Sequence, residues 1–151
     1  MSTIDPIAVV IAYFDGWNRH DAERIAATLD AGVVYDSDAN GVVRGTDGIR
    51  AFAGAFLTAF PDLTFDVRPQ LAGDDCVVAQ WTVTGTHRAP MMGLAATGRR
   101  FTLHGCDVVR IENGRITQID AYWDSATLAR QLSSDERVLP TAADAPAAIL
   151  A

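Results

Sequence analysis

The sequence has few of the residues that build metal centres and disulfide frameworks. Its only two cysteines, Cys76 and Cys106, lie inside apolar runs, where a cysteine behaves as a small hydrophobic side chain. We therefore expect free thiols and no disulfide. There is no C-x-x-C pair and no Cys/His cluster, so the sequence predicts no zinc or other metal site.

Positive charge is also scarce. Lysine and arginine together number 12 against 19 aspartates and glutamates, which gives a formal net charge of −7 and a pI of about 4.7. Binding to nucleic acid depends on many Lys and Arg contacts with phosphate, and anionic membrane surfaces attract basic segments. The charge balance therefore argues against both classes of partner.

Long hydrophobic runs are missing as well. No apolar stretch approaches the roughly 20 residues that a membrane-spanning helix needs. The first residues contain the acidic Asp5 and lack a basic region, a pattern typical of a helix start and not of a signal peptide. We therefore expect a cytoplasmic protein.

The 151 residues, 49% of them hydrophobic, are enough for one domain with its own core. We assign residues 1–132 to this domain. The stretch 133–151 is rich in alanine and proline, and we expect a tail that is irregular or docks on a neighbour.

Helical patterns come first along the chain and strand patterns later. Apolar spacing predicts a first helix from Ile7 to Trp17, and Asp21 and Thr46 are predicted caps of the next two helices. Strands are predicted at 33–36, 63–71, 76–86, 101–111 and 116–123, before a closing helix at 125–132. This order predicts an α+β fold, in which a curved antiparallel sheet wraps around the N-terminal helices and encloses one apolar pocket.

Alternation along the strands predicts which side chains face that pocket. In the strand 101–111, Asp107 belongs to the apolar set, and a buried aspartate is costly unless it is paired, neutral or used. By the same parity His104 points outward, unless Gly105 marks a bulge. Trp81 belongs to the apolar set of its own strand and is predicted to face inward.

The last strand is ambiguous by this criterion. One face carries Ile119, Ala121 and Trp123, and hydrophobicity alone would place this face inside. The other face carries Asp120, Tyr122 and Asp124.

Several short motifs together resemble one known family. They are Gly85-Thr86-His87, Gly93, the run 97–101, the run 107–110, Asn113-Gly114-Arg115-Ile116, Asp124 and Gln131-Leu132. Over residues 5 to 132 the chain resembles the SnoaL-like polyketide cyclases of the NTF2-like superfamily. The resemblance implies a cone-shaped fold, a homodimer formed through the outer sheet face, and a cofactor-free intramolecular aldol cyclisation. It also implies that Asp124 is the acid/base and that Asp120, Tyr122 and Asp124 face the pocket.

A second resemblance is to the ketosteroid isomerases of the same superfamily. Their oxyanion tyrosine, general-base aspartate and protonated oxyanion aspartate fall on Tyr13, Asp36 and Asp107. The loop from Gly93 to Arg100 departs from the isomerases and favours the SnoaL-like interpretation.

We therefore predict an acid/base enzyme that removes a proton next to a carbonyl of an apolar polycyclic substrate, without metal or cofactor. The candidate catalytic residues are Asp124, Asp107, Asp36, Tyr13 and His104. The candidate substrate-binding residues are Trp17, Tyr35, Phe56, Trp81, Met91, Met92, Asp120 and Tyr122.

The alternatives are a ketosteroid-type isomerase, a binding module without activity, and an epoxide hydrolase. The last is disfavoured because Arg110 points outward by parity. Simpler structural roles also remain open: a helix cap for Asp124, a turn residue for Asp36, and a buried structural carboxylate for Asp107.

Overall fold

A computed structural model describes residues 4–133 of the chain. In this range the helices are α1 (Pro6–Asn18), α2 (Ala22–Ala27), α3 (Gly45–Ala59) and α4 (Ser125–Leu132). The strands are β1 (Leu29–Ser37), β2 (Gly41–Arg44), β3 (Thr64–Leu71), β4 (Cys76–Thr86), β5 (Arg100–Glu112) and β6 (Arg115–Trp123). The predicted tail lies, from residue 134 onward, outside the described residues.

The six strands form one curved, unclosed sheet in the order β2-β1-β6-β5-β4-β3, which confirms the predicted α+β class. Neighbouring strands are antiparallel except β1 and β6, which run parallel. The long strands β4 and β5 pair over their whole shared length, from Cys76 opposite Arg110 to Thr86 opposite Arg100. Among the strands, helix α1 packs mainly against β3, which lies next to β4 at the edge of the sheet.

Two helix caps were predicted from the sequence, and the structure confirms one of them. Asp21 caps α2 as predicted, since its carboxylate accepts from the backbone N–H groups of Glu23 and Arg24. The predicted cap at Thr46 is wrong. Gly45, with φ +76°, already begins α3 directly after β2, and the N-cap position falls on Arg44, which makes no side-chain cap bond.

The hairpin between β5 and β6 turns at the Asn113-Gly114 pair. Asn113 and Gly114 have φ of 52° and 75°, the left-handed values that a two-residue hairpin turn of this kind requires. The two cysteines are free and half-buried, so the expected absence of a disulfide between Cys76 and Cys106 agrees with the structure, although neither thiol is fully buried.

The core lies between the helices and the concave face of the sheet. Helix α1 contributes one buried face with Val10, Tyr13, Phe14 and Trp17. Among the described residues, no helix is long and apolar enough to cross a membrane.

Candidate active site

The inner face of the sheet and helices α1 and α3 enclose a half-open cavity with aromatic walls. The chain has six phenylalanines, three tryptophans and three tyrosines, and all of these lie among the described residues. Ten of the twelve line this cavity: Tyr13, Phe14, Trp17, Tyr35, Phe52, Phe56, Phe65, Trp81, Phe101 and Trp123. The cavity volume is about 60 Å³, and all the empty space in and around it, open solvent included, amounts to about 550 Å³. Most of the aromatic side chains of this chain therefore serve one site.

Asp107 is the carboxylate of this cavity. It sits in the middle of β5 with its side chain on the concave face, 4% exposed. Its Oδ1 accepts a hydrogen bond of 3.0 Å from Nε1 of Trp81 on the neighbouring strand. Burial raises the pKa of Asp107 to about 7, and the indole hydrogen bond acts in the opposite direction. The carboxyl group can therefore both give and take a proton near neutral pH.

Gly105 provides the space that the Trp81 indole occupies. The two residues face each other in the β4–β5 register. A Cβ atom at position 105 would overlap the six-membered ring of the indole. The missing side chain in β5 thus sets the position of the ring that donates to Asp107, two residues further along the same strand face.

Two tyrosine hydroxyls accompany the carboxylate. Burial, reinforced by the negative charge of Asp107, raises the pKa of both Tyr13 and Tyr35 well above the ordinary value. Both hydroxyls therefore keep their protons and serve as hydrogen-bond donors. The side chain of Trp17 lies against the Tyr13 hydroxyl, and Nδ2 of Asn40 donates to the Tyr35 hydroxyl at 3.2 Å.

The cavity lining contains no cationic side chain. Of its residues, all within the described range, Asp107 is the only ionisable group besides the two tyrosines. A proton that passes from a bound molecule to Asp107 leaves the total charge inside the cavity unchanged. The negative charge moves from the carboxylate to the bound molecule, where the tyrosine hydroxyls can solvate it.

The structure brings six of the predicted site residues to the cavity: Tyr13, Trp17, Tyr35, Phe56, Trp81 and Asp107. Five of them are buried, and Phe56 on α3 is half-buried.

Asp124 does not belong to this group. It is exposed and caps α4, where its carboxylate accepts from the backbone N–H of Ala126 at 3.0 Å and from the hydroxyl of Thr127 at 2.8 Å. These bonds, led by that from Thr127, lower the pKa of Asp124. The predicted orientation of Asp124 into the pocket is therefore wrong, and the helix-cap role is the one that the structure shows.

The predicted orientation of the last strand is also wrong, because its polar set does not face the pocket. The apolar set of β6 faces inward, with Ile119 and Ala121 buried and Trp123 lining the cavity. Tyr122 is 63% exposed on the opposite face. Asp120 is half-buried on that face and accepts from the Gln118 side chain. Hydrophobicity alone gave the correct face, and the family-based assignment overrode it.

The set of three residues matched to the ketosteroid isomerases is not assembled. Asp36 is exposed, because in β1 it alternates with the buried Tyr35 and Ser37. Only Tyr13 and Asp107 of that set reach the cavity. The alternative isomerase assignment with Asp36 as base is therefore contradicted.

His104 also lies outside the cavity, as strand parity predicts. It is exposed on the outer face of β5, where Nδ1 lies 3.1 Å from the Thr82 hydroxyl. Continuous β4–β5 pairing through Gly105 shows no bulge that would turn it inward. Arg110 is exposed on the same face. An epoxide hydrolase of this superfamily would need an arginine between two aspartates to activate water, and the residues that line the cavity include no arginine.

Met91 and Met92 were predicted to bind substrate, but they do not line the cavity. They sit on the connection between β4 and β5 and, with Pro90 and Gly93, form a shallow surface groove against α3. Met91 is half-buried, and Met92 is 41% exposed with φ 56°. The prediction failed because the groove lies on the outside of α3, whose aromatic stripe faces the cavity.

Sequence reasoning missed several wall residues. Phe52 and Phe65 belong to visible apolar patterns, and Trp123 carried a usable signal in its alternation with Ala121. Asn40 had no such signal, since it lies in the turn between β1 and β2.

Within residues 4–133, no group of three or more His, Cys, Asp or Glu side chains could hold a metal ion.

The fold and the cavity together define a small α+β protein with an apolar pocket that contains one buried carboxyl group. The chain belongs to the SnoaL-like polyketide cyclase family, whose model matches residues 7–132. A comparison of the sequence with curated proteins gave no match.

Several solved structures have a similar fold. AclR of Streptomyces galilaeus, a candidate hydroxylase, is 28% identical with a TM-score of 0.74, and the match covers 84% of this chain and 94% of AclR. TsrD of Streptomyces laurentii is 26% identical with a TM-score of 0.76 over 87% of this chain and 99% of TsrD. A candidate SnoaL-like polyketide cyclase from Jannaschia sp. CCS1 is 20% identical with a TM-score of 0.79. The match covers 89% of this chain and 97% of that protein, and it supports the fold alone.

Proposed function

We propose that this protein catalyses proton transfer at the carbon next to a carbonyl group of an apolar substrate, leading to intramolecular aldol cyclisation, with Asp107 as the acid/base. One observation carries the proposal. Asp107 is the single carboxyl group in the lining of an aromatic cavity, and Trp81 holds it at 3.0 Å. Family membership supports a cyclase-type activity, while the fold alone would allow many chemistries.

The proposed reaction begins when the Asp107 carboxylate takes a proton from the substrate carbon. The electron pair of the broken C–H bond moves toward the carbonyl oxygen, which becomes negatively charged. The hydroxyls of Tyr13 and Tyr35 donate hydrogen bonds to this oxygen and lower the free energy of the enolate. The neutral Asp107 no longer repels it.

Ring closure follows within the same molecule. The enolate carbon attacks a second carbonyl carbon, one C–C bond forms, and the second carbonyl oxygen becomes an alkoxide. Asp107 returns its proton to that alkoxide and regains its starting ionisation state. Because the cavity is small and half-open, it receives only the reacting end of a polycyclic substrate, and the remainder extends out of the cavity.

The proposal is tested with β-tetralone, an apolar bicyclic ketone, in D2O. NMR measures the exchange of its acidic C–H protons. We expect the wild type to exchange them above the buffer rate and Asp107→Asn to lose about 10²-fold or more of this activity. Asp36→Asn is the matched control, because it makes the same change on the exposed face of β1.

Binding of β-tetralone without exchange above the buffer rate would contradict the catalytic role and favour the binding module. Exchange that persists in Asp107→Asn would contradict the assignment of the acid/base.

We further propose that the outer face of the sheet packs against a second copy of the chain. Its centre is the row formed by Gln80, Cys106 and Tyr122, which the strand register places side by side. Tyr122 is one of the few large apolar side chains left exposed among the described residues, and tyrosine is enriched at protein interfaces.

A further inference from the structure

We propose that Asn40 is a positioning residue: it holds the Tyr35 hydroxyl so that its proton is directed at the carbonyl oxygen of the substrate. The proposal rests on the proposed function, because it assigns Tyr35 to the oxygen that becomes negatively charged. It adds a residue that neither the strand patterns nor the family motifs single out.

The first observation is the contact itself. Nδ2 of Asn40 donates to the hydroxyl oxygen of Tyr35 at 3.2 Å, and both side chains line the cavity. A tyrosine hydroxyl has one proton and accepts through its oxygen lone pairs. An N–H donor on the oxygen therefore leaves the Tyr35 proton free to point elsewhere.

The second observation is the hydrogen bonding within the turn that carries Asn40. The backbone N–H of Asn40 donates to the carbonyl of Ser37 at 3.2 Å, and the N–H of Ala39 donates to the Ser37 hydroxyl at the same distance. Gly41, with φ +79°, then turns the chain into β2. Ser37 is itself buried, so the turn is held by a buried residue, and it places the Asn40 amide against the Tyr35 hydroxyl.

The third observation concerns where the Tyr35 proton can go. The side chains of Trp123 and Ser37 also lie against the hydroxyl and, like Asn40, favour its ionised form. The Asp107 carboxylate is near enough to raise the pKa of Tyr35 through its charge, and Asp107 and Tyr35 together raise that of Tyr13. The three groups are therefore neighbours. With Asn40 donating to its oxygen, the Tyr35 hydroxyl keeps its proton free for an acceptor in the cavity, where Tyr13 and Asp107 also lie.

The chemical role follows from this geometry. If the amide donor were removed, the Tyr35 hydroxyl could rotate its proton away from the cavity. If an acceptor took the place of the amide, it would capture that proton. The substrate oxygen would then lose one of its two tyrosine donors, although the ring of Tyr35 would stay in the wall.

The test uses para-nitrophenol as the probe, because a bound phenolate oxygen resembles an enolate oxygen and its absorbance reports ionisation. Affinity is measured by absorbance titration at about pH 7. We expect Asn40→Ala to weaken binding about two- to tenfold, the worth of one hydrogen bond. Asn40→Asp should weaken it more, since the carboxylate captures the Tyr35 proton and repels the phenolate.

A double-mutant cycle separates positioning from simple packing. In the Tyr35→Phe background, Asn40→Ala should cause no further loss of affinity, because its effect passes through the missing hydroxyl. Asp38→Ala, an exposed change in the same turn, is the matched control and should bind as the wild type does. The wild type, Asn40→Ala, Tyr35→Phe and the double variant are also unfolded with urea. The equilibrium constants of unfolding should show a two- to tenfold coupling between the two substitutions.

Three results would overturn the inference: unchanged affinity in Asn40→Ala, wild-type affinity in Asn40→Asp, or no binding of para-nitrophenol by the wild type. None of these measurements requires turnover. Failure of the proposed function appears separately, as absent exchange of β-tetralone by a protein that still binds the phenol and shows the coupling.

Discussion

The indole N–H of Trp81 points at Oδ1 of Asp107 across the β4–β5 pair, at a distance of 3.0 Å. The two residues are not direct partners in the register, since Trp81 faces Gly105 and Asp107 faces Ala79. The contact is a diagonal one on the concave face, and it exists because position 105 has no side chain. It holds a carboxyl group in an apolar site without neutralising its charge.

Removal of this donor should change the pH dependence of catalysis. The indole hydrogen bond favours the ionised form of Asp107, so Trp81→Phe should raise the pKa of the carboxyl further. The β-tetralone exchange rate should rise with pH through the ionisation of Asp107 near pH 7 in the wild type, and the midpoint should lie higher in the variant. A midpoint that stays in place or moves lower would contradict the role given to Trp81.

Asp107 should also make the folded state less stable as pH rises. Its pKa is about 7 in the folded protein against 3.8 as the ordinary value, so the folded state binds the proton more tightly than the unfolded chain. Stability is therefore lost between about pH 4 and pH 7, by an amount on the order of 4 kcal/mol at full ionisation.

Urea unfolding at either end of that range measures this loss in the wild type and in Asp107→Asn. The difference in free energy of unfolding between the two proteins should move in favour of Asp107→Asn as pH rises. Asp36→Asn, the exposed control, should follow the wild type. A wild type that gains stability relative to Asp107→Asn with rising pH would show that the carboxyl is paired in the folded state.

Gly105→Ala should disturb the site through packing alone. The added methyl group would occupy the position of the Trp81 ring, and overpacking of this kind costs typically 1–3 kcal/mol. Gly54→Ala is the control, because nothing lies near its Cβ on α3 and alanine is about 0.5–1 kcal/mol better than glycine in a helix. Thermal unfolding should show opposite shifts for the two variants.

Asp124 should affect stability and not catalysis. Asparagine also caps helices well, so Asp124→Asn should unfold and exchange β-tetralone much as the wild type does. Asp124→Ala should lower the midpoint of thermal unfolding by a few degrees at unchanged exchange per folded molecule. Loss of exchange in Asp124→Asn, with the fold intact, would return the acid/base role to this residue.

Tyr122 tests the proposed contact between two copies. Tyr122→Glu places a charge at the centre of the outer sheet face and should yield monomers in sedimentation analysis. Ile11→Glu makes a comparable change at another exposed apolar side chain, on α1, and should leave the assembly state unchanged. If the wild type sediments as a monomer, the proposed contact is absent in solution.

The fold followed from patterns that the chain carries locally. Alternation of apolar and polar side chains gave strands β4, β5 and β6 nearly to the residue, and it placed Asp107 inside without any structural knowledge. The four-residue β2 was missed because its side chains are mostly exposed and carry no alternation. Its neighbour β1 begins at Leu29, four residues before the predicted strand at 33–36.

The site was harder to predict than the fold. Strand alternation succeeded wherever it was followed, for Trp81, Asp107 and the outward-facing His104. The only wrong strand face was that of β6, where the family resemblance replaced alternation. Asn40 could not be found from the sequence, because the direction of a turn side chain depends on Ser37 and on the distant cavity wall and has no periodic signature.

The aromatic wall also has an optical consequence. All three tryptophans of the chain, Trp17, Trp81 and Trp123, line the cavity. The tryptophan fluorescence of the protein therefore depends on the surroundings of this one cavity. Emission intensity and wavelength are therefore properties of the site, and no tryptophan elsewhere adds a background. A ligand that binds between these rings should therefore change the tryptophan emission of the unlabelled protein.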